Sequence, residues 1–203
     1  NSGQTAQALK VLSQMRGLSP VDHYAFLHKI DVQYALDFAC ERRMDVELIE
    51  HYLLQNAYDL VVEQFKEALG TKTRKKALSA SKETMEALYQ LFQDLASLSA
   101  EERRLLLKNL FDLARQGGHL SLQARIALKL KEDMLLQQLL PISQTAWETN
   151  FSLFFKVLLA LKKNQPQKVI KELRALFQLA LTSEFIGGKE AFKALRELQR
   201  LEA

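Results

Sequence analysis

The sequence predicts an all-α protein, and three observations support this prediction. Apolar residues recur at steps of three and four, which places them on one face of a helix. The clearest stripe consists of Met85, Leu88, Leu91, Phe92, Leu95 and Leu98. The 203 residues include only three prolines and seven glycines, the residue types that weaken helix interiors. Capping residues also recur between the apolar stretches.

These features predict about twelve short-to-medium helices arranged as antiparallel hairpins in a solenoid-like array. An irregular globular helical bundle is the alternative, because no fixed repeat period holds through the chain. The shorter helices are marginal alone, so tertiary packing must stabilise them.

Five helices are predicted in residues 1–70, the first from Thr5 to Arg16. The second has a serine N-cap followed by Pro20, which suits the first helical position. Gly70 is expected to end the fifth helix as a left-handed C-cap. The predicted N-caps of helices two to five are Ser19, Asp31, Asp45 and Asn56.

The remaining helices are predicted within residues 77–203. Ser99 and Glu102 have the spacing of a capping box, and Gly117-Gly118 ends the helix that follows them. The helix Phe151–Leu161 is apolar on most of its circumference and is therefore expected at the centre of the fold. Other helix starts are expected at Ser81, Ser121, Asp133, Pro166 and Lys189.

Charge is distributed unevenly along the chain. Residues 1–70 carry six basic and ten acidic side chains, a net charge of −4. The whole chain has +4, so the rest carries +8. We predict one all-helical domain over 1–203, with an acidic sub-bundle 1–70 and a basic sub-bundle 77–203 joined by a basic loop at 71–76. Such a dipolar chain could use its two ends for different partners.

Sequence motifs for chemistry are missing. Glu47 and His51 share a helix face, but no third metal ligand is identifiable. There is no HExxH, CxxC, GxxxxGK[ST] or GxGxxG pattern. We therefore predict no metal, no cofactor, no small-molecule ligand and no enzymatic activity. The single cysteine, Cys40, is expected to be buried, and it fits an intracellular, reducing compartment, either cytoplasmic or peripheral to a membrane.

Two surfaces are candidates for binding. Four positive charges between Lys72 and Lys76 would attract the phosphates of anionic lipid headgroups. No aromatic residue lies in 66–88, so nucleic acid, which would need stacking partners, is not expected. The candidate anion-binding residues are Lys72, Arg74, Lys75 and Lys76, with support from Arg103, Arg104 and Lys108. The second surface is an apolar face of the last helix formed by Phe192, Leu195, Leu198 and Leu201.

The favoured function is a non-enzymatic helical interaction or scaffold domain that binds another protein through exposed helix faces. One alternative is a peripheral binder of phosphoinositide-type headgroups through the basic loop. A second alternative is an enzyme or an enzyme-regulating domain.

Overall fold

Helices make up the regular secondary structure of the computed structural model, which describes residues 2–15, 17–140, 150–182 and 188–203. Across these residues there are thirteen helices and no strand. The all-α prediction is therefore confirmed.

The chain divides into two compact units, Asn1–Leu91 and Phe92–Ala203. The first unit contains α1 (Ser2–Gln14), α2 (Pro20–Ile30), α3 (Val32–Arg42), α4 (Asp45–Leu54), α5 (Tyr58–Ala68), α6 (Lys72–Ala80) and most of α7 (Lys82–Asp94). The second contains the end of α7, α8 (Ala100–Gln116), α9 (Leu120–Leu130), α10 (Asp133–Gln137), α11 (Phe151–Leu161), α12 (Pro166–Thr182) and α13 (Gly188–Glu202).

Consecutive helices pack in pairs within the first unit: α2 packs against α3, and α4 packs against α5. The turn between α2 and α3 is a single residue, Asp31. Its backbone N–H donates to the Leu27 carbonyl, and its carboxylate accepts from the N–H groups of Gln33 and Tyr34. One residue thus ends α2 through its backbone and begins α3 through its side chain. The cap on α3 is the one that the sequence predicted. Two buried clusters lie under these helices: Leu12, Leu27 and Ala35 in one, Ala39, Met44 and Leu48 in the other.

In the second unit, α8 packs against α9 and α12 packs against α13. The apolar helix α11 contacts α9, α10, α12 and α13. Six of its eleven residues are buried: Phe151, Phe154, Phe155, Val157, Leu158 and Leu161. The central position predicted for this helix is confirmed within the second unit, because its apolar surface can only be covered by several neighbours.

Several helix ends follow the sequence signals. Ser19 caps α2 ahead of Pro20. Ser99 and Glu102 form the predicted capping box, in which the serine hydroxyl accepts from the Glu102 N–H and the glutamate accepts from the Ser99 N–H. Gly118 adopts the left-handed conformation after α8, with φ of 72°.

Other helix ends depart from the predictions. Asp45 does not cap α4, because the capping position is occupied by Met44. Asp45 is instead the first residue of the helix, and its side chain is buried. Gly70 is not left-handed, whereas Arg43, Asn56 and Lys131 each have φ of 54°.

The predicted loop at 71–76 is wrong, because Lys72–Ala80 forms α6. The Thr71 hydroxyl accepts from the Arg74 N–H and caps the helix. Leu78 and Ser79 are buried, and α6 packs on α4 and α5. The basic stretch therefore belongs to the first compact unit, which extends to Leu91.

Candidate binding surfaces

Arg74 in the basic stretch is tied to a buried carboxylate. Its Nε and Nη2 atoms donate to the two oxygens of Asp45 at 2.8 and 2.5 Å. The Asp45 side chain is 0% exposed and the Arg74 side chain only 14%. The Gln64 amide also donates to Asp45 Oδ1 at 2.7 Å, and Glu67 lies 3.4 Å from Arg74.

This bond to Asp45 is the main reason that the pKa of Arg74 is raised. A guanidinium held by two hydrogen bonds to a carboxylate is already neutralised. Arg74 therefore joins α6 to α4. It is not available to bind an external anion, in contrast to the prediction from the sequence. Lys72 and Lys76 are exposed on α6, and Lys75 is half-buried.

A cavity of about 350 Å³ opens beside the start of α6. We call it the arginine cleft; its lining residues are Arg42, Arg43, Thr71, Thr73, Arg74 and Ala77. The guanidinium of Arg42 lies over the Phe38 ring, 5.6 Å from its centroid. Arg42 and Arg43 follow each other at the end of α3, and neither forms an ion pair with a carboxylate in the described part of the chain. The sequence alone does not reveal Arg42 and Arg43 as part of a site, because α3 and α6 are far apart along the chain.

The other predicted basic residues belong to the second unit and are also engaged. Arg103 Nη2 donates to the Leu95 carbonyl at 2.9 Å. Arg104 Nε and Lys108 Nζ lie 2.6 and 2.8 Å from the two oxygens of Glu132. Burial acts to raise the pKa of Glu132, but the hydrogen bonds from Lys108 and Arg104 lower it below its usual value. Arg104 and Lys108 thus hold α8 to Glu132, which follows α9.

The predicted apolar face of the last helix divides between core and surface. Leu198 is buried, Leu195 and Leu201 are half-buried, and α13 packs on α12 and α11. Phe192 is 57% exposed, and the Arg196 guanidinium lies 4.8 Å from its ring centroid. Of the four residues, only Phe192 is thus available for contact with another molecule. Leu195, Leu198 and Leu201 mainly pack α13 within the second unit.

A groove of about 400 Å³ runs between α11 and α13. Its apolar lining comes from Phe155 and Leu159. Its other lining residues are Ser152, Lys156, Lys193, Arg196, Glu197 and Arg200. The one acid among them, Glu197, is buried, and its Oε1 lies 2.5 Å from Lys162 Nζ while Oε2 lies 3.6 Å from Arg200. The groove therefore has an apolar lining and an excess of positive charge.

The first unit brings together histidines and tyrosines that the sequence did not pair. His28 on α2 and His51 on α4 have ring centroids 5.8 Å apart, and each also contacts a tyrosine, Tyr24 and Tyr52 respectively. Burial, and secondarily His28, lowers the pKa of His51. Burial raises the pKa of the neighbouring Glu47 more than a backbone hydrogen bond lowers it.

Among the described residues, no group of three or more histidine, cysteine or carboxylate side chains could hold a metal ion. The expectation that Cys40 is buried is wrong, since Cys40 is exposed. No helix in the described ranges combines the length and the apolar character that a membrane span requires. No family model, curated protein or solved structure matches the chain.

Proposed function

We propose that this protein is a non-enzymatic helical interaction domain that binds an acidic segment of a partner protein in the groove between α11 and α13. The observation that supports this proposal is the composition of the groove. Four basic side chains and one already paired acid surround an apolar lining, and an exposed phenylalanine lies next to one of the basic residues.

The charge of the groove favours an acidic ligand. Lys162 largely neutralises Glu197, so no unpaired acid among the described lining residues balances Lys156 and Arg196. A ligand that carries carboxylates would gain Coulomb energy at the rim and faster association. A basic ligand would meet like charges, which provides specificity.

The apolar lining favours a ligand that also carries apolar side chains. A leucine or phenylalanine of the partner would bury surface against Leu159 and the accessible edge of Phe155. Arginine and aromatic residues are the usual centres of binding energy in protein interfaces. Phe192 and Arg196 form such a pair, and their contact holds the guanidinium in place before the ligand arrives.

The proposal can be tested with three labelled peptides and fluorescence anisotropy. The first peptide carries glutamate with leucine and phenylalanine at helical spacing. In the second, lysine replaces glutamate, and in the third, serine replaces the apolar residues. We expect the first peptide alone to bind, with affinity that falls as salt is added. Equal binding of the first and second peptides would contradict the proposal.

Two variants locate the binding site. Arg196→Glu and Phe192→Ala should each weaken binding of the acidic peptide by roughly tenfold or more, as loss of a central interface residue does. The matched controls are Lys171→Glu and Leu105→Ala, which change an exposed cation on α12 and an exposed leucine on α8 outside the groove. Circular dichroism should show that all four variants fold. If the controls lose as much affinity as Arg196→Glu and Phe192→Ala, the groove is not the site.

A further inference from the structure

We propose that the arginine cleft of the first unit binds the phosphate groups of a polyphosphorylated inositol headgroup. The residues assigned to the phosphates are Arg42 and Arg43 at the end of α3 and Thr73 of α6. This site is independent of the groove between α11 and α13. It shares Thr73 with the basic stretch that the sequence indicates, but the two arginines assigned to the phosphates belong to the end of α3.

The lining of the cleft supplies donors for phosphate oxygens. A guanidinium has five N–H donors in a planar fork that matches the oxygens of a phosphate. Two such groups, Arg42 and Arg43, border the cavity of about 350 Å³, and Thr73 adds a hydroxyl. The Thr71 hydroxyl accepts from the Arg74 N–H, so its hydrogen is still available to a further acceptor.

The charge balance of the cleft favours an external anion. Asp45 neutralises Arg74, which is the third arginine of the lining. Arg42 and Arg43 have no carboxylate partner in the described ranges, so two positive charges stay uncompensated at one cavity. The contact with the Phe38 ring restricts the Arg42 side chain, which lowers the entropy that it loses on binding.

The shape and lining of the cleft favour an inositol headgroup over nucleic acid. None of the described lining residues is aromatic, so a base would lack the aromatic stacking partner that single-strand-binding proteins provide. An inositol ring with several phosphates is compact and could place a phosphate at each arginine. Lys72 and Lys76 are exposed on α6 and would add nonspecific attraction to an anionic surface.

The backbone at Arg43 offers a test that separates binding from folding. Arg43 has φ of 54° and ψ of 48°, a left-handed conformation in which glycine is favoured over any residue with a Cβ. Arg43→Gly therefore removes the guanidinium and relieves the backbone. Lys131 has φ of 54° and ψ of 34° at the end of α9, in the second unit. Lys131→Gly is the matched control, because it relieves the same conformation away from the cleft.

The experiment measures binding of soluble inositol trisphosphate by isothermal titration calorimetry, together with the melting temperature of each variant. We expect Arg43→Gly to bind roughly tenfold or more weakly, as loss of a charged hydrogen bond does. Its melting temperature should be equal to or above that of the wild type. Lys131→Gly should show the same thermal effect and unchanged binding. Lys75→Ala should also bind as the wild type does.

Vesicles distinguish the two sources of the headgroup. Phosphatidylcholine vesicles with and without phosphatidylinositol bisphosphate are compared by flotation. Binding to the vesicles and to the soluble headgroup supports a lipid ligand, whereas binding to the soluble headgroup alone supports a free inositol phosphate. In either case Arg43→Gly must reduce the binding.

Four results would overturn the assignment. The wild type could fail to bind inositol trisphosphate. Arg43→Gly could bind as the wild type does, or Lys75→Ala could lose as much affinity as Arg43→Gly. Finally, tighter binding of a phosphoserine peptide than of inositol trisphosphate would assign the cleft to a phosphorylated protein instead.

Discussion

Asp45 and Arg74 illustrate how single residues acquire roles that their neighbours in sequence do not reveal. Asp45 has the residue type of a helix cap, and Arg74 lies in a run of cations. In the structure their side chains meet across 29 positions of chain, and the carboxylate is fully buried. A buried carboxylate requires partners, since desolvation of an unpaired charge is costly. Arg74 and Gln64 supply them, so this cation stabilises the fold.

Arg74→Met should therefore destabilise the protein by about 3 kcal/mol, because it leaves a buried carboxylate without its counter-charge. Urea denaturation measures the loss. Adding Asp45→Asn to Arg74→Met should recover part of it, since the amide carries no charge. Lys75→Met on the same helix is the control and should change the stability by no more than about 0.5 kcal/mol. Equal effects of Arg74→Met and Lys75→Met would contradict this role.

Helix α6 shows what decides whether a short, charged segment becomes a helix. Four cations within five residues indicate a solvated loop, because like charges repel one another. Three contacts outweigh that repulsion: the Thr71 cap, the pairing of Arg74 with Asp45, and the burial of Leu78. The cap can be read from the sequence as a helix start, whereas the pairing and the burial depend on α4 and α5 being in place.

Proline substitutions distinguish a helix from a loop at this position. Lys76→Pro should cost about 3 kcal/mol or more, because proline in a helix interior removes a hydrogen bond and clashes with the preceding turn. Lys72→Pro is the matched control. Lys72 is the first residue of α6, and Thr71 before it is already extended, with φ of −135° and ψ of 151°, as proline requires. Urea denaturation should show a large loss for the first variant only. A small loss of stability in both variants would indicate that this segment is a loop.

At the scale of the whole molecule, His51 makes the stability of the protein depend on pH. The pKa of His51 is lower in the folded state than the usual value of 6.5, because burial and His28 disfavour its charged form. The unfolded chain then binds the proton more readily, so stability is lost as pH falls through the usual range of histidine. The raised pKa of Glu47 acts in the opposite direction, since the folded state takes up that proton first.

Comparison of His51→Gln with the wild type isolates the contribution of His51. The unfolding free energy should fall between about pH 7.5 and about pH 5.5, and this fall should be smaller in His51→Gln than in the wild type. Urea titrations at both pH values measure the effect. A larger fall of the unfolding free energy in His51→Gln than in the wild type would contradict a lowered pKa of His51 in the folded state.

Local patterns by themselves determined the helical class of this protein and many of its helix ends. The periodicity of the apolar residues, the Ser99–Glu102 capping box and the Asp31 cap of α3 act within one or two turns, so neighbouring residues suffice to predict them. The central position of α11 followed from the same kind of information, since a helix that is apolar all round needs several neighbours.

Only the tertiary structure decided which charges stay available for binding. Arg74, Arg104 and Lys108 look alike in sequence, yet each has a carboxylate partner far along the chain. Arg42 and Arg43 have none among the residues that the structure describes, and they gain a cavity because α6 begins beside the end of α3. The physical reason is that electrostatic contacts and burial act through space, between helices whose packing is set by the apolar faces of the whole unit.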